Sequence, residues 1–206
     1  MKSALPIVVL IVLVLFIALI GGCSSYNKLN SLNQSVDKSW ADVQNVYQRR
    51  ADLIPNLVKT AEGAANFEKS TLTQVAQARQ QVSTIKLDPN SAPSDPAALQ
   101  KFQQMQDGLG SALSRLLVVA EKYPDLKATA AFRDLQTQLE GTENRISVER
   151  GRFNDAVQLY NTKVNSMPAR LYAGALGFSP KPYFTAREGS DVAPEVKFEF
   201  GSPAAK

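Results

Sequence analysis

The sequence predicts an all-α protein: an N-terminal transmembrane or anchor helix, an antiparallel up-down four-helix bundle, and an irregular C-terminal tail rich in aromatics and proline. Three observations carry that expectation. An uncharged apolar run opens the chain; apolar side chains then recur every three or four positions from Leu29 to Val164; and proline, glycine and aromatics gather after Met167. The implied segments are 1–22 for the transmembrane segment or lipoprotein signal, 23–166 for the bundle and 167–206 for the tail.

The anchor comes first. From Ala4 to Ile20 every residue is apolar or small, interrupted only by Pro6, and Gly21, Gly22 and Cys23 prolong the uncharged run. At about 1.5 Å per helical residue the run nearly matches a hydrocarbon core about 30 Å thick. Two readings of its end stay open. Ile20-Gly21-Gly22-Cys23 behind Lys2 resembles a bacterial lipobox, whose cysteine is acylated and becomes the new N-terminus. Alternatively the span is uncleaved and Cys23 is an interfacial residue, a reading favoured by a run longer than a signal h-region. Lys2 and the α-amino group crowd the short N-side while Lys28 and Lys38 are dispersed beyond the run, so the positive-inside rule leans toward an exported bundle.

Helix one is read from Leu29, Leu32, Val36, Val43, Val46, Leu53 and Leu57, with Trp40 and Tyr47 on an adjoining edge. Steps of three and four place these on one stripe. Pro55 lacks an N–H and its ring clashes with the preceding turn, so a helix boundary is expected near Ala51–Ile54. A second helix follows over Pro55–Ile85, and Lys86–Pro96, with Pro89, Pro93 and Pro96, is a loop. The third helix is expected over Ala97–Lys122, with Leu99, Phe102, Met105, Leu109, Leu113, Leu116 and Ala120 inward. Gly108 and Gly110 each weaken it by about 1 kcal/mol relative to alanine. Tyr123-Pro124-Asp125 ends it, and a fourth helix spans Leu126–Val164 on Phe132, Leu135, Leu139, Ile146, Phe153, Val157 and Tyr160. The short connection makes helices three and four antiparallel neighbours. In the tail, Val196, Phe198 and Phe200 alternate as in a short extended segment.

Composition narrows the chemistry. The chain has 206 residues with 44% hydrophobic and 20% charged, enough for one core but not comfortably for a second domain. A net charge of +4 is too mild to argue for nucleic acid. There is no histidine and one cysteine, which removes the commonest general base, the commonest zinc ligand and any intrachain disulfide. No catalytic, cofactor-binding or metal-ligating residue is expected, and the protein is read as not an enzyme.

Separate motifs then point to a family. Tyr26-Asn27-Lys28-Leu29, the run from Arg49 to Val58 (RRADLIPNLV), Glu121-Lys122-Tyr123-Pro124-Asp125-Leu126-Lys127 and Leu139-Glu140-Gly141-Thr142-Glu143-Asn144-Arg145-Ile146 resemble the successive signatures of the LemA family of bacterial membrane proteins. The resemblance extends through Lys181-Pro182-Tyr183-Phe184 and Ala193–Phe198. It implies one N-terminal membrane segment and an antiparallel four-helix domain, and little about activity.

Certain residues invite a functional reading. Arg49, Arg50 and Asp52 sit at the expected end of helix one, as a solvated cap or as a guanidinium fork for an anionic headgroup or partner carboxylate. Glu140, Glu143, Arg145, Glu149 and Arg150 lie on one helix, and surface ion pairing is favoured over a metal site because no Glu-x-x-His can be built. The tail either folds back on the bundle or presents a docking segment at Val196, Phe198 and Phe200. The expected protein is a membrane-tethered scaffold or adaptor of the bacterial envelope, anchored in the membrane by one segment, with protein partners, no nucleic acid and a capacity to self-associate. A small-ligand or lipid-sensing module using an interhelical cavity is the alternative.

Overall fold

The computed structural model describes residues 4–85 and 87–186, with the side chains of 4–21 and of Cys23 outside that description. Val196, Phe198 and Phe200 lie outside the described residues, and so does any view of the Cys23 sulfur. Among the described residues every regular element is helical: α1 (Ala4–Glu62), α2 (Lys69–Thr84), α3 (Pro96–Ala120), α4 (Pro124–Ala128) and α5 (Ala130–Asn165), followed by 3-10 turns at Ala169–Leu171 and Gly174–Leu176.

Helix α1 has 59 residues and so runs for about 90 Å. It does not stop near Ala51–Ile54 as the proline predicts, but continues through Pro55 to Glu62. The carbonyl that the proline leaves without a helical donor finds one on another helix. Pro55 cannot donate to the carbonyl of Ala51, and Arg79 of α2 donates its Nε–H to that oxygen instead, at 3.4 Å. The chain reverses later, over Gly63–Glu68, where Asn66 adopts a left-handed φ of 64°. Asparagine tolerates that conformation better than most residues.

Capping fixes the other starts. Asp95 accepts from the Ala97 N–H at 3.0 Å, with Pro96 at the first position of α3, and Thr129 accepts from the Phe132 N–H at 3.3 Å to begin α5. The expected fourth helix is therefore two elements, since the short α4 after Tyr123 is separated from α5 by extended Thr129. Gly108 and Gly110 leave α3 continuous.

Helices α1 and α5 run antiparallel, as Trp40 meets Phe153 (5.7 Å between rings) and Arg50 meets Glu143 ten residues on and ten back. Helices α2 and α3 likewise oppose, pinned by Arg115 to Gln74 at 2.7 Å and by Phe67 against Tyr123 at the turn end. The buried apolar residues fall into two clusters. One gathers around Trp40, Phe102, Phe153 and Phe184; the other around Leu57, Val75, Leu109 and Leu116. No helix among the described residues is long and apolar enough to cross a membrane; the apolar run of the expected anchor lies where only the helical backbone is described.

Candidate functional site

The most elaborate arrangement of polar side chains holds the chain's own tail. After α5 the chain turns back, and residues 181–185, outside any helix or strand, lie against α1, α3 and α5. Asn161 donates its amide Nδ2 to the Lys181 carbonyl (2.8 Å) and accepts the Lys181 N–H on Oδ1 (2.8 Å). One heptad earlier on the same helix, Asn154 makes the same pair with Phe184, at 2.9 Å each way. From α3, Gln103 donates to the Thr185 carbonyl at 2.8 Å and accepts its N–H at 3.3 Å. A segment outside any helix or sheet needs partners for its buried backbone groups, and these side-chain amides supply both donor and acceptor.

Two side chains of that segment are seated in matching surroundings. Lys181 Nζ lies 2.9 Å from Asp37 Oδ1 and 5.8 Å from the centre of the Tyr160 ring. Asp37 also accepts from the Ala92 N–H at 2.9 Å, tying the α2–α3 loop to the same place. Phe184 is buried against Trp40 and Phe153 (6.2 and 5.3 Å) beneath the Arg150 guanidinium at 4.8 Å. Arg150 also donates to the Thr185 carbonyl, at 2.8 Å. Burial pushes the Tyr160 hydroxyl above its usual range, and the Asp37 carboxylate adds to this. Tyr47 is raised by burial too, partly countered by Arg150 and Arg50.

The motif residues Arg49, Arg50 and Asp52 are not brought together. Because α1 continues to Glu62, they stand inside the helix rather than at its end, and the helix-dipole argument for them is lost. Arg50 is only 3% exposed. It donates to Glu143 Oε2 and to the Gln106 carbonyl, both at 2.9 Å, and so links α1, α5 and α3. Arg49 is exposed, and Asp52 accepts from Gln48 at 2.7 Å. The α5 carboxylates also separate: Glu143 turns to Arg50, Glu149 pairs with Arg152 at 2.7 Å, and Glu140 accepts from Gln136. Among the described residues no three His, Cys, Asp or Glu stand close enough to hold a metal ion. Beside Arg50 a groove of about 480 Å³ opens between α3 and α5, lined by Leu113, Leu117, Leu139 and the carboxylates of Glu140 and Glu143.

Sequence reasoning missed Gln103, Asn154, Asn161 and Asp37 as tail-holding residues. A signal existed in α5, where Asn154 and Asn161 stand seven apart and each directly follows a core aromatic, Phe153 or Tyr160. Polar residues on the shoulder of an apolar stripe face whatever covers it.

Comparison with known proteins fits this picture. The chain is 24% identical to the Magnetosome protein MamQ 2 of Paramagnetospirillum magneticum over 92% of its own length and 74% of that protein's. It is 24% identical to the Magnetosome protein MamQ of Magnetospirillum gryphiswaldense, covering 83% of this chain and 70% of that one. With Protein LemA of Metamycoplasma hominis it shares 23% identity over 79% of this chain and 69% of the other. A sequence model of the LemA family matches residues 39–198, a span that takes in every core aromatic named above and the clamped tail, and the chain belongs to the LemA family.

Proposed function

We propose that this protein is a non-enzymatic, membrane-tethered scaffold of the bacterial cell envelope. Its anchor is residues 1–22, uncleaved or replaced by lipid at Cys23, and residues 23–166 form an antiparallel up-down four-helix bundle on the extracytoplasmic side. The docking segment is the tail beyond residue 186, with Val196, Phe198 and Phe200 as the side chains a partner engages by strand addition. One observation supports this above the others: the root of the tail is gripped through its backbone by three amide side chains, so residues 181–185 are held at a fixed place on the helices. The likeness to magnetosome proteins carries no pathway over to this chain.

The test separates anchoring from docking. Full-length protein and a variant lacking 187–206 are crosslinked in native membranes. The shortened chain keeps its melting temperature, because every clamp remains, and loses its crosslinked partners. An unchanged partner set removes the tail from the proposal. The groove beside Arg50 supports a second reading, a small-ligand module. A small molecule that co-purifies with the wild type and is expelled by Ser114→Trp favours it.

A further inference from the structure

The end of the molecule where α1 leaves the apolar run carries an unusual surface. Leu171, Met167 and Leu176 are 75%, 68% and 47% exposed, all within the turns that follow α5. Such side chains are ordinarily scattered singly; here they crowd one loop. That loop is fixed against α1 at a known height, since Phe178 packs edge-on against Tyr26 (5.6 Å) and donates its N–H to the Ala173 carbonyl at 2.9 Å. Tyr26 comes four residues after Gly22, which is about 6 Å along the helix. A headgroup layer is about 5–7 Å deep on each side of the hydrocarbon. Tyr26, itself 42% exposed, thus stands where tyrosines favour the membrane interface.

Charge agrees with height. Neither 22–36 nor 156–186 contains an aspartate or glutamate, whereas Lys28, Lys163, Arg170 and Lys181 fall within them. Lys181 is occupied by Asp37, while Lys28 and Arg170 are exposed. The first acid on α1, Asp37, is eleven residues beyond Tyr26, about 16 Å away along the axis. On α5, Asp155 lies ten residues before the helix ends at Asn165, about 15 Å away along the axis. The Debye length is about 8 Å at physiological ionic strength, so an anionic surface at this end meets the cations unscreened by those carboxylates.

We propose that the loop 167–178 is a second membrane contact: Leu171, Met167 and Leu176 enter the interface of the bilayer that holds α1, and Lys28 and Arg170 pair with its anionic headgroups. The occupant is that lipid surface, chosen by the charge and by the height on α1. This inference rests on the anchor reading above. It moves headgroup recognition away from Arg50, whose guanidinium is consumed inside the helices.

The experiment uses the full chain with Cys23→Ser, leaving no other cysteine. One cysteine is added at a time, as Val12→Cys, Leu171→Cys or Asp125→Cys, and labelled with an environment-sensitive fluorophore. The protein is reconstituted into vesicles of phosphatidylcholine, with or without phosphatidylglycerol, containing brominated lipid. The expected result is quenching at positions 12 and 171, none at 125, and stronger quenching at 171 with phosphatidylglycerol. Adding Lys28→Glu and Arg170→Glu abolishes that extra quenching. A quenched probe at 12 beside an unquenched one at 171 overturns the second contact and leaves the anchor standing. An unquenched probe at 12 overturns both. Quenching at 171 that ignores phosphatidylglycerol and the charge reversals overturns the headgroup pairing.

Discussion

The two halves of the packed helices are filled by different chemistry and closed by different means. Toward the N-terminus of α1 the core is aromatic, with Trp40, Tyr47, Phe102, Phe153 and Phe184 in edge and tilted contacts, and its last ring comes from the tail. Toward the C-terminus of α1 and the α1–α2 turn it is aliphatic, built on Ile54, Leu57, Leu72, Leu109, Leu113 and Leu116, and finished by the Phe67–Tyr123 pair. The aliphatic half is assembled by helices that follow one another closely in sequence. The aromatic half needs residues far apart, so it depends on polar clamps that hold a segment belonging to no helix or sheet. Arg50 sits between the two, tied to both α3 and α5.

The largest effect should come from the centre of the aromatic half. Trp40 is fully buried and its Nε1–H donates to the Asp88 carbonyl at 3.0 Å. Trp40→Ala should cost about 3–5 kcal/mol in urea unfolding and also strip hydrogen-exchange protection from the Lys181 and Phe184 amides. Leu116→Ala, equally buried in the other half, should cost about 2–5 kcal/mol yet leave those two amides protected relative to the global stability. If both substitutions release the tail alike, the halves are one cooperative unit and the contrast fails.

Arg50→Ala comes next. It removes a buried guanidinium from Glu143 and the Gln106 carbonyl, but the Glu143 side chain is 52% exposed and rehydrates once released. The loss should therefore be about 2–3 kcal/mol, below that for a fully buried ion pair. Arg49→Ala, one residue away on the exposed face, should stay within about 0.5 kcal/mol. Thermal unfolding of the two variants side by side checks this; equal losses would show that Arg50 does not join the halves.

Much of this division was legible in the sequence, because period and burial coincide where side chains are apolar. Leu29, Val36, Val43 and Leu57 on α1, and Phe153, Val157 and Tyr160 on α5, are buried as their spacing demands, whereas Trp40, read as lying on the edge of the stripe, is fully buried. Pro55 misled for a reason that no local pattern contains, since the donor it withholds from Ala51 is replaced by Arg79, twenty-eight positions away. The Arg49-Arg50 pair misled similarly: adjacent cations diverge on a helix, and only the tertiary surroundings decide which is buried. Of the amide clamps, Asn154 and Asn161 left a signal in their seven-residue spacing behind core aromatics, whereas Gln103 left none, because a glutamine at a helix edge looks the same facing water or facing another segment of chain.

Those clamps give a smaller prediction confined to the aromatic half. Asn161→Ala deletes one donor and one acceptor from the Lys181 backbone, and should cost about 1–3 kcal/mol. Asn161→Asp keeps the acceptor for the Lys181 N–H but not the donor, so it should fall between wild type and alanine. Limited proteolysis near residue 181 provides the measurement, and unchanged cleavage in both variants would mean that the Phe184 pocket alone holds the tail.

The smallest effect is a dependence on alkaline pH. Tyr47 and Tyr160 both belong to the aromatic half, and burial raises both hydroxyls above the ordinary value of 10.0, with Asp37 adding to the effect at Tyr160. In the unfolded chain the same tyrosines ionise near that ordinary value, so between the two midpoints the folded state holds more protons. Stability is thus complete below pH 10, and it declines as pH rises from there through the folded midpoints. Trp40, the single tryptophan, reports on this half directly. Urea midpoints followed by its fluorescence should fall above pH 10 in the wild type and fall less steeply in Tyr47→Phe/Tyr160→Phe, which lacks the two hydroxyls whose ionisation burial opposes. An identical decline in the double variant would show that these two hydroxyls do not set the alkaline loss, and the aromatic core would then carry no pH dependence of its own.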